Sequence, residues 1–331
     1  MSATPTRRLI AILVLAPVLA TLALWAFAWP AARTAPHDLP LGVAGPPAAT
    51  AQLEKQLERR EGAFEIHHYA GEAAARDAVE DRTVYGAVVV TPQGPELLTA
   101  SAAGPAVAQF LQQTVTRQAA AEGTQVRTVD VVATPASDPR GAAFSAAVLP
   151  LALAGIAAGV VVTVLGLRDV RAVTALLGAS ALVGVAAAGI AHSWLGVLTG
   201  DWWTEAAVLG LSTLAVSGAV AGLAALVGTA GMGIAGGVVM LLGNPFSGAA
   251  SAPRMLPEPA GAIGQWLPPG AGTTLLRSVS YFDGAAATGP ALTLAWWAAL
   301  GLGAVLLGSA LRARKAGSEP AAEGRDLATV G

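Results

Sequence analysis

The stretch "LIAILVLAPVLATLALWAFAW", residues 9–29, determines the class to which this protein belongs. It carries no charged side chain and is long enough to cross a bilayer, which takes about 20 apolar residues. Arg7 and Arg8 precede it, and alanine-rich sequence follows Trp29. A cleaved signal peptide is the alternative, but its apolar region usually spans about 7–15 residues. The greater length here favours an uncleaved membrane anchor.

The composition of the whole chain agrees with a membrane protein. Of its 331 residues, 54% are hydrophobic and 12% are charged, whereas soluble domains carry about 25% charged residues. The net charge of −2 gives no reason to expect a nucleic-acid partner. The chain has no cysteine, which excludes disulfides and cysteine-ligated zinc.

Five further apolar runs follow, and they predict a total of six membrane spans. They cover residues 143–166, 172–191, 206–228, 229–242 and 291–311. The run at 229–242 is short and rich in glycine, so it is either a separate span or the end of a long bent helix. Because residues 206–242 are too long for one span, a chain reversal at residues 228–231 is the simpler interpretation.

Basic residues near the span ends predict the orientation, because they favour the cytoplasmic side of a membrane. With six spans, three basic clusters fall on one side: Arg7 and Arg8; Arg168 and Arg171; Arg312, Arg314 and Lys315. Both chain ends are then cytoplasmic in a cell-membrane protein. Tryptophan favours the membrane interface, and this topology places all eight tryptophans near the outer one: Trp25, Trp29, Trp194, Trp202, Trp203, Trp266, Trp296 and Trp297.

Residues 31–141 have the composition of a soluble domain and lie between the first two spans. Their patterns predict strands at 41–45, 64–69, 84–90, 96–101 and 125–132, and helices at 50–60, 72–81 and 105–121. Strands that alternate with helices are typical of a small α/β domain with a mainly parallel sheet.

The predicted fold is therefore a membrane all-α bundle of six transmembrane helices with an extracytoplasmic α/β domain inserted between helices 1 and 2. The predicted divisions are residues 1–30 for the cytoplasmic N-terminus and helix 1, and 31–141 for the α/β domain. Residues 142–311 hold helices 2–6 and an outer Pro/Gly-rich cap at 243–289, and residues 312–331 form a cytoplasmic tail.

No motif for catalysis or cofactor binding is present in the sequence. The two lysines, Lys55 and Lys315, lie outside any phosphate-binding loop, so the chain is not expected to hydrolyse ATP by that route. His67 and His68, with Glu65, are a conceivable metal site, but neighbouring residues on a strand point to opposite faces. An edge or surface strand is the favoured interpretation, and no cofactor or metal is predicted. His37 and His192 are isolated, and we expect them at the membrane interface.

The predicted spans contain no ionisable residue well inside the bilayer, and Glu205 lies at an outer end. This argues against an ion-coupled carrier, which usually needs intramembrane ionisable groups. Small residues recur four positions apart, a spacing that lets helices pack closely. The pairs are Gly155/Gly159, Ser180/Gly184, Gly218/Gly222 and Gly233/Gly237. Packing within the chain is favoured, and a dimer or translocation surface is the alternative.

Residues 243–289 combine proline and glycine with many apolar side chains. Irregular backbone is not tolerated in lipid, because its N–H and C=O groups would lack partners. We therefore expect an outer cap, partly re-entrant, with short helices at 261–267 and 272–281. The apolar side chains available for burial are Phe246, Met255, Leu256, Ile263, Trp266, Leu267, Leu275 and Leu276.

Residues 241–285 resemble the last extracellular segment of permeases in the type-2 class of ATP-binding-cassette (ABC) exporters. The nearest resemblance is to a branch with an exported domain after the first span, related to phage-infection-protein-like membrane proteins. It is carried by Gly243-Asn244-Pro245, Leu267-Pro268-Pro269-Gly270 and Arg277 through Tyr281-Phe282-Asp283-Gly284. Residues 79–90 are also similar to the exported domain of that branch.

The resemblance implies a permease that dimerises, as a homodimer or heterodimer, and docks a separate cytoplasmic ABC ATPase. By position, the ATPase-coupling residues would be Leu167, Arg168, Asp169, Val170 and Arg171. The outer cap or gate would include Asn244, Pro245, Phe246, Trp266, Pro268, Pro269, Arg277 and Asp283. Only eight residues precede the first span, so the long amphipathic N-terminal helix of many relatives is expected to be missing or minimal.

The predicted function is that of a permease subunit in an ATP-driven ABC exporter. The neutral span surfaces suit a lipid-like or amphipathic substrate drawn from membrane lipid. The alternative is a non-transporting envelope scaffold or receptor whose α/β domain binds a surface or secretion partner. In that case the charged connection at residues 165–172 would serve only to set topology.

Overall fold

A computed structural model describes residues 5–121 and 123–318. Residues 1–4 and the predicted tail from residue 319 lie outside this description, as do the side chains of Arg7, Arg8 and Lys315. The described chain divides into two compact units. The first contains the residues up to Ala142 together with Met240–Gly270, and the second contains Ala143–Val239 and the residues from Ala271 onward.

The first unit holds a long helix, a five-stranded sheet and the first half of the Pro/Gly segment. The helix is α1 (Pro5–Ala32), whose buried residues, among those described, are Ala26 and Pro30. The sheet consists of β1 (Leu39–Ala44), β2 (Phe64–Tyr69), β3 (Gly86–Thr91), β4 (Gly94–Thr99) and β5 (Arg127–Asp130). Its helices are α2 (Pro47–Glu58), α3 (Glu72–Glu80) and α4 (Pro105–Ala121).

The sheet has the strand order β2-β1-β3-β4-β5. All neighbouring strands are parallel except β3 and β4, which form an antiparallel hairpin. The prediction of a mainly parallel sheet is therefore confirmed. Leu41, Val88, Leu97 and Leu111 are almost fully buried in its core, because the strands alternate with helices that cover their apolar side chains.

The Pro/Gly segment contributes directly to this core. Ala252 and Met255 are buried in the same cluster as Leu41 and Val88. The backbone N–H of Ala35 donates to the carbonyl of Met255 at 3.0 Å. The sequence grouped residues 243–289 with the spans, whereas the structure places residues 240–270 in the same unit as the sheet. The apolar side chains of the segment and its backbone N–H and C=O groups find partners in the unit that contains the sheet, which explains why residues 240–270 belong to it.

The second unit is a helical bundle. Its helices are α5 (Ala142–Val164), α6 (Asp169–Ala188), α7 (Trp202–Val227), α8 (Thr229–Val238) and α11 (Thr288–Ser318). A π-helical turn, Gly189–Trp194, extends α6, and a second one, Val239–Gly243, follows α8. The Pro/Gly segment contains two shorter helices: α9 (Ala260–Trp266), which belongs to the first unit, and α10 (Pro268–Tyr281), most of which belongs to the second.

Five helices of the described chain are long and apolar enough to cross a membrane. They cover Ile12–Ala32, Ala142–Val164, Asp169–Trp194, Trp202–Val227 and Thr288–Arg314. The remaining predicted span, the fifth in chain order, corresponds to a shorter apolar helix, Thr229–Gly243. At about 1.5 Å per residue it extends roughly 22 Å, less than the ~30 Å hydrocarbon core of a bilayer.

The chain reverses direction at Gly228, between α7 and α8. Gly228 has φ +81°, a conformation that favours glycine. Val239 packs in one cluster with Val216 and Ala152. Val216 and Val239 lie at similar sequence distances on either side of Gly228, so their contact requires α8 to fold back along α7. This agrees with the reversal predicted at residues 228–231.

The glycines of α5 and α7 occupy close helix contacts. A Cβ on Gly155 would lie 2.8 Å from the Cβ of Val216, and one on Gly159 would lie 2.7 Å from the carbonyl oxygen of Ser217. A Cβ on Gly218 would come within 3.6 Å of Gly301.

The small-residue pairs Ser180/Gly184 and Gly233/Gly237 have different surroundings. A Cβ on Gly184 of α6 would collide with the carbonyl oxygen of Ala206 and lie 2.7 Å from the nitrogen of Gly210. Positions 233 and 237 on α8 have open space within 4 Å. Close packing between helices therefore uses the glycines that line α7 and its neighbours. On α8 it uses Gly231, where a Cβ would collide with the carbonyl oxygen of Leu223.

We expect Gly222→Leu to destabilise the bundle by about 1–3 kcal/mol, the usual cost of overpacking. A Cβ at Gly222 would lie 2.5 Å from the carbonyl oxygen of Gly301 and 2.9 Å from the Cβ of Ala304. Thermal unfolding of the purified chain in detergent measures the effect. Gly233→Leu is the matched control, because that position is open, and equal loss of stability in both variants would contradict the assignment.

Candidate functional site

The connection between α5 and α6 is a short turn anchored at two points. The side chain of Leu167 packs against a buried cluster that includes Val162, Leu176 and Val305. The backbone N–H of Asp169 donates to Ser309 Oγ of α11 at 3.0 Å. Asp169 has φ +51°, a left-handed conformation that aspartate tolerates better than most residues. These anchors hold the turn in one conformation.

Four consecutive side chains of this turn face outward. Arg168, Asp169, Val170 and Arg171 are exposed, and Val170 retains 69% of its accessible surface. Within the described part of the chain, none of the three charged residues forms a salt bridge. The turn thus combines a fixed backbone with charges and an apolar side chain that the fold itself does not use. Such a surface is suited to contact with another protein.

The second unit contains a histidine–glutamate pair, with the glutamate buried, that sequence reasoning missed. Glu205 in the first turn of α7 is fully buried, and its Oε2 lies 2.8 Å from His192 Nδ1. Glu205 Oε1 accepts a hydrogen bond from the N–H of Gly200 at 2.8 Å. His192 was expected to be isolated, and the structure corrects this expectation. The signal was a carboxylate inside an apolar helix, which needs a partner.

The loop between α6 and α7 is tied to the C-terminal end of α10. The hydroxyl of Tyr281 donates to the carbonyl of Val197 at 2.7 Å, and Thr199 Oγ1 donates to the carbonyl of Ser280 at 3.0 Å. Asp201 caps α7 by accepting hydrogen bonds from the N–H and Oγ1 of Thr204, and these bonds lower the pKa of its carboxyl. The loop therefore places Gly200 against Glu205.

The first half of the predicted cap is built around Phe246. This ring is buried and contacts Trp29 edge-on, with ring centroids 6.2 Å apart. Gly264 packs against the backbone of Phe246, where any side chain would collide. The carbonyl of Asn244 accepts a hydrogen bond from Ser247 Oγ at 2.7 Å. These contacts, which lie within one unit, give this part of the segment a defined conformation.

The remaining cap residues predicted from the sequence differ in their surroundings. Pro268 and Pro269 are buried, Pro245 is half-buried, and Pro269 packs on Gly243, where a Cβ would lie 2.8 Å from its Cγ. In the second unit, the guanidinium of Arg277 is buried over the ring of Phe144, 4.9 Å from its centroid. Asp283 is exposed. Arg277 and Asp283 therefore occupy different environments.

Two apolar side chains of the Pro/Gly segment that the sequence predicts to be buried are exposed instead. Ile263 is 40% exposed and Trp266 is 75% exposed. The other six apolar side chains named in the sequence are buried: Phe246, Met255, Leu256, Leu267, Leu275 and Leu276. Both exceptions lie on α9, whose buried face is formed by Ala260, Gly261 and Gly264. The small residues of this helix, and not its large ones, form its buried contacts.

His67 and His68 lie on the edge strand β2, as predicted. His67 Nε2 is 3.4 Å from Glu65 Oε1, and His68 Nδ1 is 3.5 Å from Glu54 Oε1. These are two separate pairs. Among residues 5–121 and 123–318, no group of three or more histidine or acidic side chains is placed to hold a metal ion.

Comparison with known proteins gives one match. The model of a family described as ABC-2 family transporter protein matches residues 7–311, nearly the whole chain. No match is found among curated proteins or among solved structures.

Proposed function

Because the chain belongs to the ABC-2 family of transporter proteins, we propose that it is a permease that docks its ATPase through the turn between α5 and α6. It is a multi-pass membrane protein and a permease subunit of an ABC exporter. Membrane subunits of this family normally lack ATPase activity, and they typically partner with a cytoplasmic ABC ATPase.

The observation that carries the proposal is the exposed, anchored turn within the matched region. Arg168, Asp169 and Arg171 present charges of both signs, and Val170 provides an apolar contact. The bond from Asp169 to Ser309 and the packing of the half-buried Leu167 link this turn to α11 and to the core of the bundle. A force on the turn would therefore be passed to two helices of the bundle.

The proposed topology has six crossings, with Thr229–Gly243 as the fifth, and both chain ends in the cytoplasm. The reversal at Gly228 supports the extra crossing, because α8 returns along α7. Trp194, Trp203 and Trp296 are 78%, 70% and 65% exposed, as expected for side chains in contact with a membrane interface. The sheet and the cap would then lie outside, as in the branch related to phage-infection-protein-like proteins.

The proposed substrate is lipid-like or amphipathic, and the proposed assembly is a dimer of permeases. Support for the substrate class comes from the bundle surface, where large apolar side chains such as Leu182, Ile234 and Leu292 are exposed. An amphiphile could reach the protein along such a surface without leaving the membrane. Asn244, Pro245, Phe246, Trp266, Pro268, Pro269, Arg277 and Asp283 remain the proposed cap or gate.

The docking proposal is tested by purifying the full-length chain with and without the ABC ATPase encoded nearest to it. We expect the two proteins to co-purify, and we expect ATP hydrolysis to rise when the permease is present. The ATPase purified alone and the ATPase mixed with an unrelated membrane protein are the controls. Failure of both association and stimulation would overturn the proposal.

The topology predicts the result of proteolysis on intact cells. A protease added outside should cut between residues 31 and 141, and a tag placed after residue 331 should stay protected until the membrane is permeabilised. Western blotting of the tag and of the fragments measures both results. An accessible C-terminal tag together with an intact 31–141 region would contradict the proposed orientation.

A further inference from the structure

The first unit contains a cleft beside the proposed cap residue Trp266, and docking of an ATPase does not account for it. Its volume is about 450 Å³, within the range of about 300–1,000 Å³ typical of small-molecule sites. Residues of very different chemistry line it: His37, Arg254, Leu256, Glu258, Gln265 and Trp266. A cation, an anion, an imidazole and a large aromatic ring therefore share one concave surface.

One wall of the cleft is fixed by backbone contacts. The N–H of His37 donates to the carbonyl of Arg254 at 2.8 Å, next to the bond from Ala35 to Met255. Gln265, which also lines the cleft, donates from Nε2 to the carbonyl of Ser247 at 3.2 Å and holds the end of α9. These hydrogen bonds fix the backbone of the cleft without a bound ligand.

The imidazole of His37 presents an unsatisfied polar atom. Its Nδ1 is buried and has no hydrogen-bond partner among residues 5–121 and 123–318. Buried polar atoms in proteins are nearly always hydrogen-bonded, and an exception calls for an explanation such as a ligand or a water molecule. Since His37 lines the cleft, a rotation of its ring would bring this atom to a ligand there.

The two charges of the cleft have opposite signs. Arg254 and Glu258 are both exposed, and neither forms a salt bridge within the part of the chain that the structure describes. An arginine guanidinium is well suited to a phosphate, to which it can donate two parallel hydrogen bonds. A carboxylate suits an ammonium group. Arg254 and Glu258 together therefore suit a ligand that carries one negative and one positive charge.

The ring of Trp266 determines which kind of zwitterion fits. It is 75% exposed although it lines the cleft, and the neighbouring Ile263 is 40% exposed. Exposed tryptophan in a membrane protein is typical of the lipid headgroup region, where its apolar ring and its N–H both find partners. The cleft therefore combines a polar interior with an apolar rim, which favours an amphiphile over a soluble zwitterion.

We propose that this cleft binds the headgroup of a zwitterionic phospholipid. The phosphate lies toward Arg254 and His37 Nδ1, the ammonium lies toward Glu258, and the acyl chains leave past Trp266. Binding at this site does not require ATP hydrolysis or transport, so its test is independent of the proposed permease function.

The experiment measures binding of dioctanoyl phosphatidylethanolamine to the full-length chain in detergent micelles by isothermal titration calorimetry. Arg254→Gln should weaken binding about tenfold or more, both for this lipid and for dioctanoyl phosphatidylglycerol, since both carry phosphate. Glu258→Gln should weaken binding of phosphatidylethanolamine about tenfold and leave phosphatidylglycerol unchanged. Retained binding of phosphatidylglycerol shows that the Glu258 variant is folded.

Arg60→Gln and Glu61→Gln are the matched controls, because they remove exposed charges of the same types in the same unit. Glycerophosphoethanolamine, which has the headgroup but no acyl chains, distinguishes a lipid from a soluble ligand. Absence of lipid binding to the wild type, equal affinity for the soluble headgroup, or loss of both lipids in Glu258→Gln would each overturn the proposal.

Discussion

Combining Arg168→Ala with Asp169→Asn in the full-length chain should reduce its stimulation of the partner ATPase about tenfold or more. Such a loss corresponds to ~1.4 kcal/mol of coupling free energy, a typical magnitude for communication between two sites. Both side chains are exposed and form no salt bridge within the described chain. Their removal should therefore leave the permease folded while it takes away a contact with the ATPase.

The choice of asparagine at position 169 separates charge from backbone strain. Asp169 has φ +51°, and a residue such as alanine in this conformation costs about 1–2 kcal/mol. Asparagine tolerates the conformation and lacks only the charge. The backbone N–H of residue 169 can still donate to Ser309 Oγ, so the turn keeps its anchor to α11.

The matched control for this variant is Glu72→Ala combined with Arg76→Ala. These residues form an exposed ion pair on α3, with their side-chain atoms 3.5 Å apart. The measurement is ATP hydrolysis by the partner at saturating permease, with co-purification as a second readout. Full stimulation by the double variant at the α5–α6 turn would show that the turn does not couple the two proteins.

Local patterns in the sequence predicted the elements of the sheet and the long helices. Short apolar strands between amphipathic helices predicted β1 to β5 within a few residues of their observed bounds, because these signals depend only on neighbouring residues. The reversal at Gly228 was also predictable, since a run of that length cannot be one span and glycine permits φ +81°.

Contacts between distant segments were not predictable from the sequence. Nothing near Ala252 or Met255 indicates that they complete the core around Leu41 and Val88, because that contact depends on how a proline-rich chain returns to the sheet. The pairing of His192 with Glu205 has the same origin. The sequence identifies each residue separately, whereas the contact between them depends on the path of the loop between α6 and α7.

The buried pair of His192 and Glu205 predicts a large loss of stability on mutation. Glu205→Ala should lower the free energy of unfolding by about 2–4 kcal/mol, since removing one partner of a buried pair leaves the other unsatisfied. The carboxylate is fully buried and accepts from both His192 and the N–H of Gly200. The side chain of His192 is 29% exposed, so water compensates part of its loss, and the loss of stability should be smaller than for a fully buried pair.

Glu205→Gln separates the hydrogen bonds from the charge. The amide oxygen can still accept from the N–H of Gly200, but the interaction of His192 with a carboxylate is lost, so stability should fall between those of the wild type and Glu205→Ala. Thermal unfolding of the three proteins in the same detergent measures this order. Asp201→Ala, which removes an exposed cap of the same helix, is the control and should have a smaller effect, because water replaces the lost hydrogen bonds. If Glu205→Ala were as stable as the wild type, the carboxylate would not stabilise the junction of α6 and α7.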